Sequence, residues 1–347
     1  MKITRLLTLL FAFTLVFNIS CSNDDDDNTL APVTYENGFF VTNEGNFGTP
    51  NAEVTFISKD LSFKQDNIFS SNNNNSNLGD VLQTITFSGD NAYLLLNNSN
   101  KVEVVNRYTF KKTGEITDQI NQPRYMAAAN NYIYVSNDQY GGDKYVSVYK
   151  TSDFSFVKKI TFTDTVEKVV EAGGNIFVQN ASYGYGNTIT SINTGTNEIQ
   201  SVITLPAGNI NSTISSNSMV YTIASGATDS YIYQISSTGN IIKTTTLTGI
   251  SNATNLQVSN GKFYFSSGNE VYSMDINSTT VPTAPLFTAV DGGQYYTLYG
   301  FNVIDDKIFT SDVKNFTQDS EITVYSTTGS KIKTFTAGKG SNGFYLN

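Results

Sequence analysis

Short apolar runs that end in small polar residues recur along this chain from about residue 33 onward. They read Phe39-Phe40-Val41-Thr42-Asn43, Tyr93-Leu94-Leu95-Leu96-Asn97, Ile133-Tyr134-Val135-Ser136-Asn137 and Ile176-Phe177-Val178-Gln179-Asn180. Three more follow: Val220-Tyr221-Thr222-Ile223-Ala224, Phe263-Tyr264-Phe265-Ser266-Ser267 and Ile308-Phe309-Thr310-Ser311-Asp312. After the first interval the copies stand ~40–45 residues apart, the length of one β-propeller blade. A turn such as Asn130-Asn131 or Asn260-Gly261 precedes the run, as a hairpin requires. An alternating strand follows, for example Val146-Ser147-Val148-Tyr149, then a further turn and a last strand such as Phe156-Val157-Lys158-Lys159-Ile160.

Six copies also have an upstream strand, as in Val81 to Phe87 and Tyr125 to Ala129. The first copy lacks one, and the chain carries an unpaired strand at its other end, Gly343-Phe344-Tyr345-Leu346-Asn347. Ring closure resolves both observations, because the C-terminal strand completes the first blade and removes the exposed edges. The predicted fold class is all-β: a seven-bladed β-propeller of four-stranded antiparallel blades, occupying residues 33–347.

Composition agrees with strands and turns. The 347 residues include 21 Tyr and 23 Phe, while charged residues make up 15 %. Absence of Trp separates the repeat from Trp-Asp propellers. There is no His, which removes the usual general base and the commonest metal ligand. A single Cys precludes an intrachain disulfide or thiolate metal cage. These absences argue against an enzyme, and no metal or cofactor is expected. The net charge of -9, with no dense basic patch, argues against nucleic acid as a partner.

Residues 1–20 have the proportions of a secretory signal: Lys2 and Arg5, then an apolar stretch from Leu6 to Phe17. Asn18-Ile19-Ser20-Cys21 resembles a bacterial lipobox, with Asn18 where an apolar residue is usual. Cys21 is therefore the expected lipidation site, and the membrane is reached through acyl chains alone. Residues 21–32 hold the run Asp24 to Asp27 and read as an acidic, disordered tether. The run resembles the export signal that places Bacteroidetes lipoproteins on the outer face of the outer membrane; a plain solvated linker is the alternative.

In a propeller, the loops between second and third strands share a face with the loops between blades, and that face commonly binds ligands. Here it is rich in rings and amides and poor in charge. The candidate ligand-binding residues are Asn46, Phe47, Asp80, Arg124, Tyr125, Tyr140, Tyr183, Tyr185, Tyr295, Tyr296, Phe316 and Asn342. Aromatic rings supply flat apolar area, and amides supply paired donors and acceptors. Such a surface suits a large, mainly neutral polar ligand, a corrinoid or glycan, and it also suits a protein partner. Asn and Gly at these positions equally make turns. Arg124 either orients a ligand carboxamide or phosphate or pairs with a nearby Asp.

The segment Glu36-Asn37-Gly38-Phe39-Phe40-Val41-Thr42-Asn43-Glu44-Gly45-Asn46-Phe47-Gly48, with Leu78-Gly79-Asp80-Val81-Leu82-Gln83, resembles the YncE-like seven-bladed propeller lipoproteins of Bacteroidetes. That family includes the surface cobalamin-binding protein BtuG. The resemblance implies a surface lipoprotein that captures vitamin B12 or a related corrinoid and passes it to a TonB-dependent outer-membrane transporter. Two other functions remain open from the residues alone: a protein-interaction or adhesion module of the cell envelope, and a propeller lactonase or lyase. The last would need convergent carboxylates, whereas Glu44, Asp80, Asp138 and Asp143 are scattered.

Overall fold

A strand that is apolar on both faces must be covered on both sides, and the repeated runs obey that rule. In the computed structural model, which describes residues 34–293 and 295–347, every residue of the strand Gly38–Asn43 is buried. The equivalent strands Asn91–Leu96 and Lys307–Asp312 are buried along nearly their whole length. Each is the second strand of a four-stranded antiparallel sheet, and there are seven such sheets. The expected signal peptide, Cys21 and the acidic tether lie outside the described residues.

The sheets pack face to face in sequence around a ring, with one apolar cluster between each adjacent pair. Consecutive side chains of a strand point to opposite faces. Phe40 therefore enters the cluster shared by blades 1 and 2, with Leu82, Leu94 and Phe110. Its neighbour Phe39 enters the cluster shared by blades 7 and 1, with Phe309, Val324 and Phe344. The outermost strands lose this cover, as the largely exposed Lys331–Thr336 shows. Two of them shrink to a pair of residues, Lys64–Gln65 in blade 1 and Phe287–Thr288 in blade 6.

Closure is as expected from the sequence. The strand Ser341–Leu346 pairs antiparallel with Gly38–Asn43, with Val41 opposite Phe344 and Phe40 opposite Tyr345. Asn347 continues the ladder by donating its N–H to the Gly38 carbonyl at 2.9 Å. The long first interval contains a short helix, Ile68–Asn72, that the strand pattern did not reveal. Its Ile68 and Phe69 fill the blade 1–2 cluster. The Glu53 carboxylate receives the N–H groups of Phe69 and Ser70 at 3.2 and 3.0 Å. Among the described residues no helix is long and apolar enough to cross a membrane.

Candidate functional site: an amide-lined channel and its aromatic mouth

All seven innermost strands are bulged at the same place. Gln83 is an extra residue between the pairs Leu82–Leu96 and Thr84–Leu95. Asn211 has the same position in blade 5 and Asn342 in blade 1. Arg124 and Tyr125 together face Ser136, and Asn255 and Leu256 together face Phe265. In blade 4, Glu167 and Lys168 both bond to Gln179, and in blade 7, Tyr299 and Gly300 both bond to Ser311. A bulge re-aims a side chain out of the pleat. Repeated around the ring, it turns seven polar or aromatic residues toward the axis.

These side chains knit neighbouring blades together. Asn342 Nδ2 donates to the carbonyls of Leu82 and Gln83 at 3.0 and 3.1 Å. Arg124 donates through Nη1 to Gln83 Oε1 at 2.8 Å, and through Nε and Nη2 to both oxygens of Glu167 at 2.9 and 2.6 Å. Asn211 Nδ2 donates to the Ala253 carbonyl at 2.8 Å, and Asn255 Nδ2 to the Leu298 carbonyl at 3.3 Å. Tyr299 closes the circuit by donating its hydroxyl to Glu44 Oε1 at 2.8 Å.

Inside this belt lies a cavity of about 290 Å³, lined by Glu44, Gln83, Tyr125, Lys168, Asn211, Asn255, Tyr299, Asn342, Tyr345 and their neighbours. Two charged groups face it. Burial pushes the Glu44 carboxyl above its ordinary range, although hydrogen bonds from Tyr299 and Asn342 and the field of Arg124 oppose the shift. Burial likewise pushes the Lys168 ammonium down, against the attraction of Glu167. Arg124 stays protonated: the cost of its burial is outweighed by Glu167, which pulls its pKa upward.

The cavity continues onto the face as a groove. Lys168, Asn211 and Tyr125 also line an adjoining space of about 320 Å³ that reaches Tyr183. Arg124, Glu167 and Tyr183 then line another of about 310 Å³, together with Gln122 and Tyr140. The rings at this mouth project into solvent, with Tyr140 98 % and Tyr183 89 % exposed. Tyr183 and Gly184 form a two-residue turn between the paired Ser182 and Tyr185, with φ of 52° and 79°. Positive φ is costly for a bulky side chain. The turn therefore holds the Tyr183 ring outward at some conformational expense.

The structure disperses the sequence-predicted residues. Tyr125 and Asn342 line the channel, and Arg124, Tyr140 and Tyr183 line the groove. Across the ring, Tyr295, Tyr296 and Phe316 form a chain of edge-to-face contacts at 6.5 and 5.9 Å. Asn46 Nδ2 joins that chain by donating to the Phe316 carbonyl at 3.3 Å, and Phe47 beside it is 80 % exposed. Tyr185 is exposed but lines none of the spaces around the channel. Asp80 is buried and pins the first loop, accepting the N–H of Gly48 at 3.0 Å and Nδ2 of Asn98 at 2.5 Å. Of the two readings left open for Arg124, an ion pair is the one its contacts fill, with Glu167 rather than an Asp as the partner. The scattered carboxylates do not converge, since Asp138 pairs with Lys144 and Asp143 with Lys159.

Sequence reasoning missed Glu44, Lys168, Asn211, Asn255 and Tyr299 as channel residues. The available trace was a polar or aromatic residue at or just before the start of each innermost strand; Glu44, which follows the strand Gly38–Asn43, carries no such mark.

The fold and site define a seven-bladed propeller with a polar axial channel that opens on one loop face. Residues 37–345 match the family described as Domain of unknown function (DUF5074), and the chain belongs to that family. No curated protein matches it in sequence. Among solved structures it is similar to a quinonprotein alcohol dehydrogenase-like protein from Bacteroides thetaiotaomicron, with TM-score 0.68 and 15 % identity over 88 % of this chain and 77 % of that one. It is also similar to a functionally unknown protein from Desulfotomaculum acetoxidans, with TM-score 0.60 and 13 % identity over 90 % and 99 % of the two chains. A third relative in shape is the dihydro-heme d1 dehydrogenase NirN, with TM-score 0.55 and 14 % identity over 90 % and 75 %. At these identities the likeness is one of fold.

Proposed function

We propose that this protein is a surface binding protein that captures a large polar ligand across the mouth of its channel. The observation that carries the reading is the pairing of exposed Tyr140 and Tyr183 rings with a polar groove on a closed, rigid ring. Exposed rings over convergent amides make a site for a ligand that is flat and polar at once. A corrinoid has that character, and the resemblance of the first blade to BtuG-like lipoproteins favours it. Acyl chains on Cys21 would hold the protein at the outer membrane, and a TonB-dependent transporter would receive the ligand. The role is capture rather than catalysis.

Calorimetric titration of the non-acylated mature chain with cyanocobalamin and with cobinamide tests the proposal. Saturable binding is expected. Tyr140→Ala and Tyr183→Ala should each weaken it by roughly 1 kcal/mol, about five-fold. Absence of heat at high ligand concentration would dismiss the corrinoid. A protein partner is the second reading, favoured by the outward projection of Phe47 and Tyr295 on the far side of the mouth. It is tested by co-purification with membrane proteins, which truncation of Phe47 or Tyr295 should diminish.

A further inference from the structure

The channel below the mouth carries an ammonium that, among the described residues, has no direct ion-pair partner. Lys168 Nζ has Ser212 Oγ at 3.5 Å and the centre of the Tyr125 ring at 5.5 Å. Among the described residues no carboxylate oxygen forms an ion pair with it. Glu167, the adjacent acid, gives both oxygens to Arg124. A half-buried ammonium without a counter-ion is costly, and the cost falls when an anion enters.

The remaining lining is neutral and hydrogen-bonding. Asn211, Asn255, Gln257 and Asn302 offer amides, and Ser212 and Tyr345 offer hydroxyls. In the adjoining space of about 320 Å³ that Lys168 also lines, Gln179 Oε1 is buried with no hydrogen-bond partner among the described residues. Glu44 supplies a carboxylate on the blade 1 side of the channel, with Oε1 taken by Tyr299 and Asn342. Its presence disfavours a multiply charged anion and favours one with hydroxyl donors away from its charge. A volume of about 290 Å³ falls near the lower end of small-molecule sites.

We infer that the central channel is a separate binding site for a small polyhydroxylated carboxylate, an acidic sugar, whose carboxylate pairs with Lys168 Nζ while its hydroxyls meet the amide ring. The inference does not depend on what the mouth captures.

The test uses gluconate and its uncharged counterpart gluconamide as probes on the full mature chain at pH 7, read by calorimetry and by thermal shift. Gluconate should bind and raise the melting temperature, and gluconamide should bind at least ten-fold more weakly. Lys168→Met should reduce gluconate affinity ten-fold or more, and Lys168→Arg should retain part of it. Ile332→Ala, on the exposed outermost strand of blade 7, should leave gluconate binding unchanged. The inference is overturned if neither probe binds, if both bind alike, or if Lys168→Met binds gluconate as the wild type does. The probe comparison on the wild-type chain decides the matter even if a variant fails to fold.

Discussion

Replacing Phe344 with Ala should cost about 3–5 kcal/mol, because that ring carries the closure of the propeller. Phe344 is 1 % exposed and sits in the apolar cluster between blades 7 and 1. Its ring centre lies 5.3 Å from Phe309, which in turn lies 4.6 Å from Phe39. Truncation removes a fully buried aromatic side chain, worth roughly 1.5–3 kcal/mol in transfer alone. The cavity left between two rigid sheets adds to that. Measured against a total stability of about 5–15 kcal/mol, the loss is large. Leu346→Ala is the control. It lies on the same strand but is 39 % exposed, so it should cost less than about 1 kcal/mol. Urea unfolding followed by circular dichroism compares the two, with the midpoint as the readout and the slope as a check on cooperativity. Equal losses for Phe344→Ala and Leu346→Ala would refute the reasoning, since the strand would then not be seated in the ring. Deleting residues 341–347 should be more severe. It bares the edge of Gly38–Asn43, a fully buried strand, and should cause aggregation rather than a lower midpoint.

The Arg124–Glu167 pair joins blades 3 and 4 through two hydrogen bonds. Arg124→Met and Glu167→Gln should each destabilise by about 3 kcal/mol, and the double variant by much less than the sum; additive losses in a double-mutant cycle would show that the pair is not coupled. Glu44 has a folded-state pKa raised by burial. A raised carboxyl stabilises the fold fully below its unfolded-state pKa and loses that contribution as pH rises through the folded value. Glu44→Gln, which keeps an acceptor for Tyr299 and Asn342, should therefore melt higher than wild type at pH 7 and approach it near pH 4. A difference that does not change with pH would contradict the assignment.

The ring was legible in the sequence because blade burial writes itself as repeated, continuous apolar runs. Strands such as Phe39-Phe40-Val41 are covered on both faces, which breaks the usual alternation and makes them easy to find. Closure was legible from an unpaired strand at one end and a missing one at the other. The channel was not. Its residues are aimed by bulges, and a bulge inserts one residue without leaving a mark in a two-residue period. Nothing in the pattern around Asn211, Asn255 or Lys168 aims those side chains at the axis. Arg124 stood out as a rare Arg, but only the position of Glu167 in the next blade shows what it holds. The outward rings of Tyr140 and Tyr183 were legible because a tyrosine followed by glycine in a polar loop has little to pack against.

The lack of Trp in this chain permits a direct test of where the ligand binds. A single tryptophan is placed at the mouth as Tyr183→Trp, or on the opposite loop face as Phe63→Trp, and its emission is followed while cyanocobalamin is added. Corrinoids absorb in the near ultraviolet and quench a nearby indole. A saturable loss of emission that is much greater for Tyr183→Trp is the predicted result. Equal quenching at both positions, or none at either, would contradict capture at the channel mouth.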